Sequence, residues 1–176
     1  MKRLPGDPSE KTLVERMIRV DHAGEYGAKR IYEGQLAVLG DTPAAREIRK
    51  MAKQEERHLA AFDKMIRERH VRPTALAPIW HVAGFALGAA SAMLGPDAAM
   101  ACTVAVEEVI DEHYQRQIDA LGKSEPGLKK SLKEFRANEI EHRDTAKQHG
   151  GDAGPPLLRA AVKAGTRLAI RLSTRL

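Results

Sequence analysis

Two short stretches hold the residue types best suited to binding metal: Glu55-Glu56-Arg57-His58 and Glu139-Ile140-Glu141-His142. Helical positions three apart stack on one face, so each Glu-x-x-His presents a carboxylate and an imidazole to the same neighbour. A lone pair of this kind means little, because exposed charged residues are the norm. Here the pair recurs 84 positions downstream, and each copy follows a further glutamate on an earlier segment, Glu25 before the first and Glu107 before the second. Four carboxylates and two imidazoles suit a pair of hard-to-borderline metal ions. Buried alone, such carboxylates are costly and tend to take up protons. Two divalent cations would balance the four charges. Glu56, Glu108, Glu112 and Glu141 are adjacent acids, assigned to solvent or to outer roles.

The elements that must position these groups read as helices. The first is predicted from Pro8 to Leu39, capped by Asp7, with Val14, Ile18, Asp21, Glu25, Ala28, Tyr32, Leu36 and Leu39 on one arc. Gly24 and Gly27 beside Glu25 predict a close helix approach there. The second runs from Thr42-Pro43 to about Glu68, with Ile48, Met51, Glu55, His58 and Phe62 in its buried row. The third starts near Asp97 and carries Val104, Glu107, Ile110, Asp111, Tyr114 and Ile118. The fourth runs from Pro126 to about His149 with Leu132, Phe135, Glu139 and His142. This is an all-α four-helix bundle, and the ligand order matches the pattern by which such bundles hold two metals. Asp21 and Asp111 lie one turn from Glu25 and Glu107 and are expected to accept a ligand imidazole N–H. His113 and Tyr114 are the candidate substrate-pocket residues, while His22 and Tyr26 have no assigned role.

Two further segments are unlike the bundle helices. From Pro73 to Pro96 the chain carries no charge over 24 residues. Prolines and glycines interrupt it, and Ile79 to Leu94 is short for a membrane span. A short apolar helix, packed or lying on a membrane, is predicted. The last segment, a helix from about Pro156 to Thr174 within the acid-free stretch Ala153 to Leu176, has Arg159, Lys163, Arg167, Arg171 and the following Arg175 opposite Leu158, Val162, Leu168 and Leu172. It fits either a helix on an anionic membrane or a helix packed on the bundle. Its five basic residues equal the whole net charge of +5. Without interleaved aromatics they do not read as a nucleic-acid surface. The single Cys102 excludes an internal disulfide framework and fits a reducing compartment. The first residues lead into no apolar run and resemble neither a secretory signal nor a transit peptide. The whole of residues 1–176 reads as one domain.

Val20-Asp21-His22-Ala23-Gly24-Glu25-Tyr26-Gly27-Ala28, Arg72-Pro73-Thr74, Gly84-Phe85-Ala86-Leu87-Gly88 and Ala101-Cys102-Thr103-Val104-Ala105-Val106-Glu107-Glu108 resemble the demethoxyubiquinone hydroxylases, ferritin-like di-iron proteins. The similarity covers roughly residues 16–176. It implies that Glu25, Glu55, His58, Glu107, Glu139 and His142 bind two iron ions, with Glu55 and Glu139 bridging. It implies O2-dependent hydroxylation of a polyprenylated benzoquinone ring, the penultimate step of ubiquinone biosynthesis, with an external reductant. It also implies peripheral attachment to the membrane that holds this lipid: the cytoplasmic face of a bacterial plasma membrane, or the matrix side of a mitochondrial inner membrane. In mitochondrial members a lipid-binding accessory protein delivers the substrate, and a homo-oligomer is compatible with the sequence. The competing readings are another di-metal bundle that stores iron or scavenges peroxide, and a non-enzymatic membrane-surface adaptor.

Overall fold

The computed structural model describes residues 8–176. Six α-helices follow one another, with no strand among the described residues: α1 (Glu10–Leu39), α2 (Pro43–Arg69), α3 (Ala77–Met93), α4 (Pro96–Leu121), α5 (Pro126–Ala146) and α6 (Pro156–Ser173). Helix α1 begins two residues later than predicted. Ser9 caps it, its side chain accepting from the Thr12 N–H at 3.1 Å, and the Asp7 cap lies outside the described residues. Thr42 caps α2 with Pro43 in the first turn, as expected. Helix α5 ends at Ala146, short of the predicted His149, and passes into a five-residue π turn, Lys147–Gly151. Gly150 there has φ +96°, and a Cβ on it would overlap the Asp97 side chain of α4.

The bundle is two antiparallel hairpins, α1–α2 and α4–α5, which meet through α1 against α4 and α2 against α5. Helix α3 serves as the long crossover between them. It packs along the outer side of α1, and α6 packs on α4 and on α1. This double coverage explains why α1 buries Val20, Ala23, Gly34 and Gln35 beyond its predicted row, and why most of α4 is buried. The close approach falls elsewhere than predicted. A Cβ at Gly34 would overlap the Phe85 carbonyl oxygen, and one at Gly88 would overlap the Ile31 carbonyl oxygen. Gly24 and Gly27 face open space instead.

Two apolar clusters plug the ends of the bundle. One gathers Leu39, Ala45, Ile48, Met51, Met100 and Val104. The other gathers Ile18, Phe62, Ile118, Leu128, Leu132 and Phe135. On each bundle helix the candidate ligands fall between members of the two clusters, so they form a polar layer shut off from both ends.

Candidate metal centre

All six predicted ligands are in that layer, and none is more than 4% exposed. They divide into two groups whose donor atoms lie within 4.8 Å of one another: Glu25, Glu55, His58 and Glu139, and Glu55, Glu107, Glu139 and His142. Glu55 and Glu139 belong to both groups, so they would stand between two ions held there. His58 Nδ1 lies 3.3 Å from Glu25 Oε2 and 3.1 Å from Glu139 Oε1. His142 Nδ1 lies 3.2 Å from Glu55 Oε1 and 3.1 Å from Glu139 Oε2.

The opposite imidazole nitrogens decide what these contacts are. His58 Nε2 lies 3.1 Å from the Asn138 amide oxygen, and His142 Nε2 bonds the Gln54 amide oxygen. Amide oxygens only accept, so both rings donate from Nε2 and turn the Nδ1 lone pair inward. In the neutral rings each lone pair then faces carboxylate oxygens across a gap that only a cation, proton or metal, can bridge. His58 Nδ1, Glu55 Oε1 and Glu139 Oε1 have no hydrogen-bond partner. Buried acceptors crowded against acceptors call for a cation, and the donor set is the one divalent metals take.

Protons are the competing cation. Burial pushes the Glu55 and Glu107 carboxyls well above their ordinary range, and the charge of Glu139 adds to it. Burial also disfavours the His58 cation, but Glu139 and Glu25 outweigh it and lift His58 to about 10. Burial would raise Glu139 as well, yet the His142 and His58 imidazoles outweigh it and hold it at about 2.

The outer contacts follow a crossed pattern that the sequence reading missed. Tyr32, seven residues after Glu25, donates to Glu107 at 2.7 Å, and Tyr114, seven after Glu107, donates to Glu25. Gln54 precedes Glu55 and binds His142, while Asn138 precedes Glu139 and binds His58. Each half of the chain thus braces the other half's candidate ligands. The signal was present, since these pairs share the ligands' own spacing of 82 or 84 positions.

Asp21 and Asp111 do not accept a ligand imidazole. Asp21 reaches across to His113 Nε2 at 3.0 Å and Gln117 Nε2 at 2.8 Å. Asp111 is taken by Arg136 and Arg143 of α5. His22 pairs with Asp63 at 3.0 Å, and Tyr26 with His81 of α3. Glu108 ties α6 to α4 through Lys163 at 2.5 Å and Arg159 at 3.7 Å, aided by Lys147 at 3.6 Å.

Beside the centre lies a small cavity of about 20 Å³, bordered by Glu25, Glu55, Glu107, Glu139, Asp21, His113 and Tyr114. A larger one of about 370 Å³ lies between α1, α3, α4 and α6, lined by Ile31, Trp80, Leu87, Val106 and Leu168 among others. Val20, Gly24, Ala28, Ile110 and Ile170 border both. Gly24 and Gly27 therefore open space for a cavity where a helix contact had been expected.

A family model described as ubiquinone biosynthesis protein COQ7 matches residues 12–173. The chain belongs to the COQ7 family. A relative from Rhodospirillum rubrum, named 3-demethoxyubiquinol 3-hydroxylase, is 56% identical over 176 residues, covering 98% of this chain and 83% of its own. One from Homo sapiens, named NADPH-dependent 3-demethoxyubiquinone 3-hydroxylase, mitochondrial, is 49% identical, covering 97% of this chain and 81% of its own. One from Saccharomyces cerevisiae, named 5-demethoxyubiquinone hydroxylase, mitochondrial, is 38% identical over 181 residues, covering 92% and 78%.

Proposed function

We propose that this chain is a di-iron, O2-dependent monooxygenase that hydroxylates the ring of a polyprenylated demethoxyubiquinone. The observation that carries the reading is the pair of adjoining cavities. One is apolar and opens among α1, α3 and α6, and the other touches four carboxylates of the six-residue centre. That geometry suits a substrate with a long hydrocarbon tail and a reactive polar head. An iron store or a surface adaptor needs no such pair of compartments.

Glu25, Glu55, His58 and Glu139 would hold one ion, and Glu55, Glu107, Glu139 and His142 the other. When bound, the iron pair supplies the redox chemistry by which one atom of O2 goes to the ring and the other leaves as water. Two electrons come from an external reductant; the name of the Homo sapiens relative specifies NADPH. The residues of the chain do the rest. Asn138 and Gln54 hold the imidazoles with Nδ1 inward, and Tyr32 and Tyr114 orient the outer carboxylates. Ile110 and Ile170 border both compartments, where their side chains would limit bulk water at the centre. His113 and Tyr114 border the space that the ring edge enters.

No helix among the described residues is long and apolar enough to cross a membrane. Peripheral attachment to the bilayer that holds the lipid fits the surface. Ile79, Val82, Met93 and Leu94 are exposed on and after α3, and Leu157 and Leu168 on α6. Arg171 and Arg175 are exposed near the end of α6, where they would meet anionic headgroups.

The test uses purified protein with iron, a reductant and a demethoxyubiquinone analogue. Hydroxylated product should form under air and not under argon, and should vanish when the metal is chelated. Iron-loaded protein that consumes no analogue in air would sink the reading.

A further inference from the structure

The two cavities beside the centre have room for a ring but not for the chain attached to it. Val20, Gly24, Ala28, Ile110 and Ile170 border both of them, so a ring presented to the centre stands against these five. The small cavity, about 20 Å³, has room for about one water-sized group. The body of the ring therefore stays in the larger one. At about 370 Å³ that cavity lies near the lower end for ligand sites, roughly 300–1,000 Å³. It takes a substituted ring and the first carbons of a tail, and the rest must leave.

The walls decide where. Beyond Ala28 the lining of α1 ends within one turn, at Ile31. There Ile31 and Leu87 pack on Cys102, Ala105, Val106 and Val162, which close that end. At the other end stand Ala23, Trp80 and Ser173. Trp80 of α3 donates from Nε1 to Ser173 Oγ of α6 at 2.9 Å. The Ala75 N–H donates to the Leu176 carbonyl at 3.0 Å. These two bonds tie the end of α6 to the start of α3, so a chain leaving here passes beneath the tie. A third cavity, about 240 Å³, lies among α1, α2 and the start of α3, where Leu59 and Ala77 contribute to its walls. Ala23 and Trp80 border it as well as the larger cavity. The partition between the two is thus an indole and a methyl group. Most polar groups of the third cavity are engaged: His22 Nε2 with Asp63, the Tyr26 hydroxyl with His81, and Thr74 Oγ1 with the Leu76 N–H. Of its buried polar atoms only His22 Nδ1 lacks a partner, and its walls are mostly carbon.

We propose that Trp80 is a gate on the substrate's tail: the indole swings off Ser173, and the first isoprene units pass between it and Ala23 into the cavity walled by Leu59 and Ala77. The inference rests on the ring-hydroxylase reading above and adds the path of the tail. Trp80 touches the tail and not the reacting atoms, so it acts on which substrates bind. The hydrogen bond to Ser173 sets a threshold. A bare ring leaves it closed, and a prenylated ring gains the burial of its tail against the loss of that one bond. Ile79, on the same turn of α3 as Trp80, is exposed and apolar. A longer tail therefore emerges beside a surface that suits a bilayer.

The test measures binding alone, by calorimetric titration of iron-loaded protein with no reductant present, so that nothing turns over. The ligands are a demethoxyquinone ring without a tail and the same ring carrying two isoprene units. The readout is the ratio of their affinities, which a general loss of stability does not move. In wild type the tailed ring should bind at least about tenfold more tightly, the yield of about five or more buried heavy atoms in a ligand of this size. Ala77→Phe fills the third cavity from α3 and should bring the ratio near one, and Leu59→Trp should do the same from α2. Ser173→Ala removes the bond that the indole must give up, and should raise the ratio about 2- to 12-fold, the worth of one hydrogen bond. A wild-type ratio near one, a ratio that both filling variants leave unchanged, or one that Ser173→Ala does not raise would each overturn the gate and leave the ring-binding reading intact. Failure of wild type to bind either ligand would overturn the two together.

Discussion

Replacing Asn138 by leucine tests the centre at one point. Leucine is close to asparagine in size but offers His58 no acceptor. The Nε2–H that now lies 3.1 Å from the Asn138 oxygen becomes a buried donor without a partner, a loss of about 1–3 kcal/mol. Part of that loss is felt with or without metal, because His58 is buried in either state. The part specific to metal is orientation, since nothing then holds Nδ1 inward. Outer partners of this kind are worth about 10- to 100-fold in metal affinity, or about 1.4–2.7 kcal/mol. His58 belongs with Glu25 and not with Glu107, so the loss falls on one ion position. An anaerobic iron(II) titration by equilibrium dialysis should change from two sites of similar strength to one retained and one weakened, with the helical circular dichroism unchanged. Gln54→Leu should produce the same split through His142. Two ions bound as tightly as in wild type by both variants would refute the role assigned to the amides. Equal weakening of both ions in each variant would refute the division into two positions.

Chelating the metal should destabilise the protein more at high pH than at low. The raised Glu55, Glu107 and His58 contribute stability that is present below their unfolded values and lost as pH rises. Metal-free protein should therefore melt lower at pH 8 than at pH 5.5, and iron should raise the melting temperature more at pH 8; the opposite slope would count against proton occupancy. Gly88→Ala forces a methyl group into the Ile31 carbonyl. It should cost about 1–3 kcal/mol, lowering the calorimetric melting temperature by about 2–12 °C. Ile170→Trp should fill the wall between the two cavities, lowering analogue turnover at least about tenfold while bound iron stays at wild-type levels. Leu168→Glu with Arg171→Glu changes two exposed side chains of α6 and should weaken cosedimentation with anionic liposomes; undiminished binding would remove α6 from the membrane contact.

The six candidate ligands and their burial were legible because carboxylates stood in apolar rows, where only a partner makes them tolerable. Helix boundaries were legible where a cap and a proline coincided, as at Thr42-Pro43. What a helical wheel gives is a face and not a reach. Asp21 was assigned inward correctly, but the side chain it meets is His113 on α4, and nothing local to either residue encodes that. Asp111 faces two arginines of α5 that the wheel of α4 cannot see. Gly34 and Gly88 set the α1–α3 contact, whereas the glycines beside Glu25 drew attention by proximity to a ligand. The tail was undecided from its amphipathic pattern alone. Val162 and the Glu108 ion pairs settle that it packs, although Leu157 and Leu168 stay outside.

The crossed bracing has a consequence for how the molecule is put together. A fragment ending after α2 would own Glu25, Glu55 and His58 but lack the tyrosine and the amide that steady them, since both come from α4 and α5. An ion held by the candidate ligands would act as a rivet between the two hairpins. The connecting helix α3 supplies no ligand and none of those braces. Its side chains are not constrained by the centre, which leaves room for a stretch of the chain without a single charge.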